Sequence, residues 1–301
     1  MSDVPDTLDL KIAEAALKEM REAYKVFAPY KDERKVSIFG SARTRPDDPL
    51  YAQARDLAAS LAERNWMTVT GAGPGIMQAG MEGAGRERSI GVSIRLPFES
   101  GANSIIAGDE KHVSMKYFFT RKLMLIKESQ AFVCLPGGFG TLDETFELLT
   151  LIQTGKSLPV PVVLLDAPGD PYWEQVDEFV RSQLIARGLV SPDDTGLYSI
   201  TDSCEEACAI IEGFYANYRS LRFVGDQLVL RLAQGPDDAQ LDHLNTRFAH
   251  LCASGRIERA TPTRAERRDD DALGLQRISF DFTKHGYGDV ISMIAEINSW
   301  V

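Results

Sequence analysis

Apolar positions recur first at helical spacing. Leu10, Ala13, Leu17, Met20 and Tyr24 share one stripe, which predicts an amphipathic helix over Leu8 to Phe27, stopped by Pro29. The rhythm then changes to short apolar runs, each followed by a longer amphipathic segment. Strands are expected at Val36–Phe39, Trp66–Thr70, Ile90–Ile94, Ala131–Leu135, Val160–Leu165 and Leu197–Ile200. Helices are expected at about Pro49–Arg64, Gly75–Glu87, Met115–Glu128, Thr141–Thr154, Pro171–Arg187 and Ser203–Tyr218. Short apolar strands alternating with amphipathic helices mean a parallel sheet covered on both faces. The predicted fold is therefore α/β, a Rossmann-like doubly wound parallel sheet.

After about Leu221 the alternation breaks. Leu228–Leu232 and Leu275–Phe282 read as strands, Asp237–Cys252 and Tyr287–Ile297 as helices, with a charged, turn-rich stretch at Thr261–Asp271 between them. We expect three parts: a helical extension (1–34), a Rossmann-like catalytic domain (35–220) and a small C-terminal α+β module (221–301). The module has no Gly-rich turn and is expected to contribute no catalytic group.

Composition adds limits. The chain of 301 residues is 44% hydrophobic and 26% charged, enough for a sizeable core. Its net charge of −11 disfavours extended nucleic-acid binding, which needs clustered Lys and Arg. A mononucleotide is compatible, because a local nest of N–H groups outweighs a distant net charge. The acidic start, Met1–Asp9, has no apolar run of the kind a signal peptide needs, and no stretch is long and apolar enough for a membrane helix. Cys134, Cys204, Cys208 and Cys252 form no Cys-x-x-Cys, and no His or Cys supplies zinc spacing around Cys204 and Cys208. Reduced thiols in a cytoplasmic protein, without metal or cofactor, are expected.

Three strand-to-helix turns are built of small residues: Gly40-Ser41-Ala42, Gly71-Ala72-Gly73-Pro74-Gly75 and Pro136-Gly137-Gly138-Phe139-Gly140-Thr141. In an open parallel sheet such turns lie at the carboxyl edge, where ligands bind. Glycines let the backbone approach an anion, and the amides opening a helix bind it. Gly71–Gly75 is not a dinucleotide fingerprint, and no Gly-x-x-x-x-Gly-Lys-Ser/Thr occurs, which excludes an ATP-binding P-loop.

The run Pro136-Gly137-Gly138-Phe139-Gly140-Thr141-Leu142-Asp143-Glu144 resembles the Pro-Gly-Gly-x-Gly-Thr-x-x-Glu signature of the Lonely-guy (LOG) family, cytokinin riboside 5′-monophosphate phosphoribohydrolases and related bacterial nucleosidases. Gly40-Ser41-Ala42-Arg43, Gly73-Pro74-Gly75-Ile76-Met77, Leu96-Pro97-Phe98-Glu99 and Arg121-Lys122 match further pieces. The resemblance covers roughly Lys35 to Tyr218. It departs before Arg121, where Phe119-Thr120 stand and the family's His is missing. Some members carry the label lysine decarboxylase, but no constellation here would hold pyridoxal phosphate.

The resemblance implies a homodimer or higher assembly, with the helices around Phe118 and Leu148 as interface candidates. It implies a catalytic role for Glu144 and Arg121, and ligand contacts from Gly40, Ser41, Gly73, Gly75, Glu99, Lys122, Gly137, Gly138, Phe139, Gly140, Thr141, Leu142, Asp143 and Thr150. A carboxylate near an anomeric carbon stabilises an oxocarbenium-like state or activates water. The competing reading of Glu144 is a helix-start carboxylate in a capping box with Thr141. Arg121 binds phosphate or holds Glu144; the sequence leaves both open. Two functions from different classes follow: an N-glycosyl hydrolase acting on a nucleoside 5′-monophosphate, or a nucleotide sensor or cofactor carrier on the same fold.

Overall fold

The computed structural model describes residues 6–96 and 101–301. By internal contacts the chain divides into two compact units, one of residues 1–147, 162–174 and 200–208, the other of residues 148–161, 175–199 and 209–301.

The first unit is built on a parallel sheet. Its strands are β1 (Lys35–Phe39), β2 (Met67–Thr70), β3 (Ser89–Ile94), β4 (His112–Met115), β5 (Ala131–Cys134), β6 (Val162–Leu165) and β7 (Ser199–Thr201), in the order β4-β3-β2-β1-β5-β6-β7. Every residue of β1, β2, β5 and β6 is buried. That explains their mainly apolar character, since helices cover both faces. Its helices are α1 (Thr7–Phe27), α2 (Pro49–Glu63), α3 (Ile76–Ala84) and α4 (Phe118–Lys127), with the first parts of α5 (Phe139–Gln153), α6 (Tyr172–Phe179) and α7 (Cys204–Gly213), whose later residues belong to the second unit. The fold is the doubly wound α/β architecture expected, and the order reverses at β1, which sits between β2 and β5.

Three local expectations change. Residues 112–115 form the edge strand β4, and the helix starts only at Phe118. Val113 and Met115 are buried and alternate with half-buried neighbours, a period of two too short to detect before an apolar helix. The apolar stripe of α1 faces outward: Leu10, Leu17 and Tyr24 are exposed, and α1 buries Ala16, Ala23 and Phe27 instead. Leu148 is buried, whereas Phe118 is exposed, so of the two side chains only Phe118 is available as an interface contact.

In the second unit β8 (Tyr218–Val224), β9 (Gln227–Leu232), α8 (Asp238–Phe248), β10 (Cys252–Arg259), α9 (Arg264–Asp269), β11 (Gln276–Phe282) and α10 (Tyr287–Asn298) form an antiparallel sheet of order β10-β11-β9-β8 with its helices. Strands β8 and β10 were not expected: residues 214–218 continue an apolar helical pattern, and β10 is largely exposed. The fully buried Glu266 carboxylate holds Arg231 (2.8 Å) and Arg277 (3.1 Å), a closed ion cluster that braces the sheet.

Candidate functional site

The turns leaving β1, β2 and β5 lie side by side at the carboxyl edge, because β1 is paired with both β2 and β5. Such a reversal of strand order opens a crevice outside the sheet. The turns are tied together. Ser41 N–H donates to the Pro136 carbonyl (3.4 Å), and the Ser41 carbonyl accepts from Ile76 N–H (3.0 Å) at the start of α3.

The glycines fall into two kinds. A Cβ on Gly40 would stand 2.6 Å from Ile76, one on Gly75 2.3 Å from the Ser41 carbonyl, and one on Gly137 2.2 Å from Thr141 Oγ1. Those three let neighbouring turns and helices close on one another, and Gly75 also has φ +66°. Gly73 would meet only the flexible end of Met77. Gly138 and Gly140 would meet nothing within 4 Å, so they leave open space beside the chain. Leu142 N–H is the first to reach back into α5, donating to the Gly138 carbonyl (3.1 Å). The amides of Phe139, Gly140 and Thr141 thus stand at the helix mouth without an intrahelical acceptor, the usual condition of a helix start. Phe139 itself is 93% exposed.

Helix α5 begins at Phe139, two residues before the expected start at Thr141, so Glu144 lies in its second turn. This rules out the capping box, which requires the carboxylate at the third helical position. Glu144 instead accepts from Arg121: Nη1 lies 3.1 Å from Oε1. The Arg121 side chain is held from a second side, Nε donating to the Val92 carbonyl on β3 (3.0 Å). Arg121 is 8% exposed, and its guanidinium fills the space over Gly71, where a Cβ would stand 2.0 Å from Nη2. Burial pushes the Glu144 carboxyl above the ordinary carboxylate range, and Asp143 and Glu147 push the same way, against the pull of Arg121 and Lys122.

Lys122 also meets carboxylates of α5. Burial disfavours its charge, yet its bonds to Asp143 (2.7 Å) and Glu147 (2.5 Å) hold its pKa above the usual lysine value. It therefore ties α4 to α5 beside the Arg121–Glu144 pair. Leu142 is half-buried within α5. Thr150 lies about 9 Å of helical rise beyond Glu144 and is exposed. Glu99 lies outside the described residues.

Two supporting residues are less visible from sequence. Asn103 donates from Nδ2 to the Gly73 carbonyl (3.0 Å), and its N–H donates to the Ala72 carbonyl (2.8 Å), tying off two acceptors of the second turn. The Tyr172 hydroxyl donates to the Gly137 carbonyl (2.7 Å), steadying the third. Only its place after β6, on the same sheet edge, hinted at Tyr172. A separate cavity of about 350 Å3 lies at the ends of β6 and β7, lined by Asp166, Asp170, Glu174, Asp202 and Glu206 among others. Its acidic wall is unsuited to phosphate, and neither Arg121 nor Glu144 lines it. Among the described residues no group of three or more His, Cys, Asp or Glu is placed to hold a metal, and no helix is long and apolar enough to cross a membrane.

Residues 74–211 match the family model described as possible lysine decarboxylase. The chain is 28% identical over 163 residues to cytokinin riboside 5′-monophosphate phosphoribohydrolase LOG3 of Arabidopsis thaliana, covering 53% of this chain and 73% of that protein. It is 32% identical over 143 residues to the probable phosphoribohydrolase LOG6 of the same plant, covering 46% of this chain and 68% of the relative. The chain belongs to the LOG family. A solved structure of the molybdenum cofactor carrier protein of Chlamydomonas reinhardtii aligns with 60% of this chain and 96% of its own, at 19% identity and a TM-score of 0.42. At the level of the family, the relatives' names describe glycosidase-type enzymes acting on a nucleoside monophosphate. The LOG-type signature, Pro136 to Glu144, falls wholly within the matched span.

Proposed function

We propose that this LOG-family protein hydrolyses the N-glycosidic bond of a nucleoside 5′-monophosphate, of the AMP or cytokinin riboside monophosphate type, releasing the free base and ribose 5-phosphate. The observation that carries this reading is the Arg121–Glu144 pair, mostly buried, next to the open mouth of α5. The amides of Phe139, Gly140 and Thr141 receive the phosphate, aided by the positive end of the helix dipole. Gly40, Ser41, Gly73, Gly75, Gly137 and Gly138 shape the cradle around it.

The ribose then lies toward the second turn of α5. As the bond from C1′ to the base nitrogen breaks, positive charge grows on C1′ and the ring oxygen. The Glu144 carboxylate stabilises it and takes a proton from the attacking water. The water oxygen bonds to C1′, and the proton taken by Glu144 passes on to the nitrogen of the leaving base, which restores the carboxylate. Arg121 keeps Glu144 ionised and aimed, which a buried carboxylate requires. A nucleotide carrier would need the cradle but not this pair. The test is AMP incubated with the protein and followed by chromatography. Free adenine and ribose 5-phosphate are expected, with adenosine left intact; tight AMP binding without adenine release would favour the carrier.

We also propose a homodimer or an assembly of dimers in the cytoplasm. Exposed Leu10, Leu17 and Tyr24 on α1 and Phe118, Phe119 and Leu123 on α4 supply apolar surface for it. Light scattering at micromolar concentration is the check, with monomer alone as the adverse result.

A further inference from the structure

Helix α4 carries Arg121 on its first turn, yet it has no cap of its own. Tyr117 occupies the N-cap position and offers no side-chain bond to the exposed amides. The chain that leads into α4 is instead held from far away in sequence. Glu19, on α1, accepts from Lys116 N–H (2.6 Å, Oε1) and Tyr117 N–H (3.4 Å, Oε2), and its Oε2 lies 3.0 Å from the buried Thr120 hydroxyl. At the opposite end of α4, Lys127 Nζ sits 5.1 Å from the centre of the Tyr24 ring, also on α1. So α1 grips both ends of the helix that presents the guanidinium.

Glu19 lies outside the span matched by the family model. A carboxylate beside a helix start favours the dipole, and by holding Lys116, Tyr117 and the Thr120 hydroxyl it fixes where the first turn begins. Arg121 depends on that start. Its own N–H donates to the Tyr117 carbonyl (3.2 Å), one turn back, at the residue Glu19 holds. Its guanidinium must then meet two fixed acceptors, the Val92 carbonyl and Glu144. Unwinding the first turn would move both bonds at once.

We propose that Glu19 is a positioning residue for Arg121, setting the register of α4 so that the guanidinium meets Glu144. The inference rests on the hydrolase reading for its effect on turnover, while the positioning itself is visible without turnover. In Glu19→Ala, kcat for AMP hydrolysis should fall about tenfold with KM changed less than about twofold, as expected when the start of α4 loosens but the phosphate cradle is intact. Glu19→Gln keeps one acceptor and should restore most of kcat. Glu22→Ala, on the same helix but paired among the described residues with Arg21 and Lys25, should match the wild type.

The second measurement needs no activity. In Glu19→Ala, hydrogen exchange should speed up more at the 116–121 amides than in the rest of the chain, and the Arg121 Nε–H resonance should shift. Wild-type protein that releases no base would overturn the hydrolase reading, and these two signals would still decide the positioning. Unchanged exchange and an unshifted Arg121 resonance in Glu19→Ala would overturn the proposal, as would a kcat within twofold of an active wild type.

Discussion

Nη1 of Arg121 stands 3.1 Å from Oε1 of Glu144, and the same guanidinium is anchored by Nε on the Val92 carbonyl. Side chains of α4 and α5, 23 residues apart, are thereby locked together over the Gly71 turn. Removing either partner leaves the other charge mostly buried without compensation, which is costly.

Glu144→Gln should nearly abolish turnover and leave nucleotide binding largely intact. Gln keeps the size but loses the charge that opposes developing positive charge, so kcat should drop on the order of a hundredfold or more. Base release under saturating AMP, measured beside AMP-induced thermal shift, checks it. A near-wild-type kcat removes Glu144 from the mechanism.

Turnover needs Glu144 ionised, so kcat should fall as pH drops through its raised pKa. Arg121 pulls that pKa down. Arg121→Ala should therefore move the acid limb of the pH profile to higher pH, as well as lowering the plateau. A limb that stays in place would show that Arg121 does not govern the ionisation of Glu144.

Gly137→Ala and Gly138→Ala should separate. The first forces a Cβ onto Thr141 Oγ1 and should lower the melting temperature, whereas the second meets nothing and should leave stability within about 0.5 kcal/mol. Gly138→Ala should nonetheless raise KM for AMP about tenfold, because its Cβ takes up room the phosphate needs. Unchanged KM would show that the phosphate does not approach there.

Asp166 carries a second pH signature. Its Oδ2 accepts from Trp173 N–H (3.0 Å), while its Oδ1 has no hydrogen-bond partner. Burial pushes the carboxyl up to about 6, with Asp170, Glu174 and Asp202 adding to it. The folded pKa is above the unfolded one, so its contribution to stability is fully present below about pH 4 and lost as pH rises through about 6. Asp166→Asn should then stabilise the protein by about 1–2 kcal/mol at pH 8, discounting for water in the adjoining cavity, and by nearly nothing at pH 4. Urea midpoints at the two pH values decide it; an equal effect at both would sink the argument.

The architecture of the first unit was legible in the sequence because its signals are local. Buried parallel strands such as Val36–Phe39 and Ala131–Cys134 must be mainly apolar, and the turn from Pro136 to Thr141 is rich in glycine. Even so, the start of α5 at Phe139, which moved Glu144 out of a capping position, needed the backbone itself. What the sequence could not hold was any relation set by packing between distant segments. Arg121 meets Glu144 and Val92, Tyr172 steadies Gly137, and Glu19 holds the chain that opens α4 across a separation of 97 residues. The outward turn of Leu10, Leu17 and Tyr24 is of the same kind. Periodicity states that a helix has an apolar face, but only the competition of its other faces for the rest of the molecule decides which one is buried.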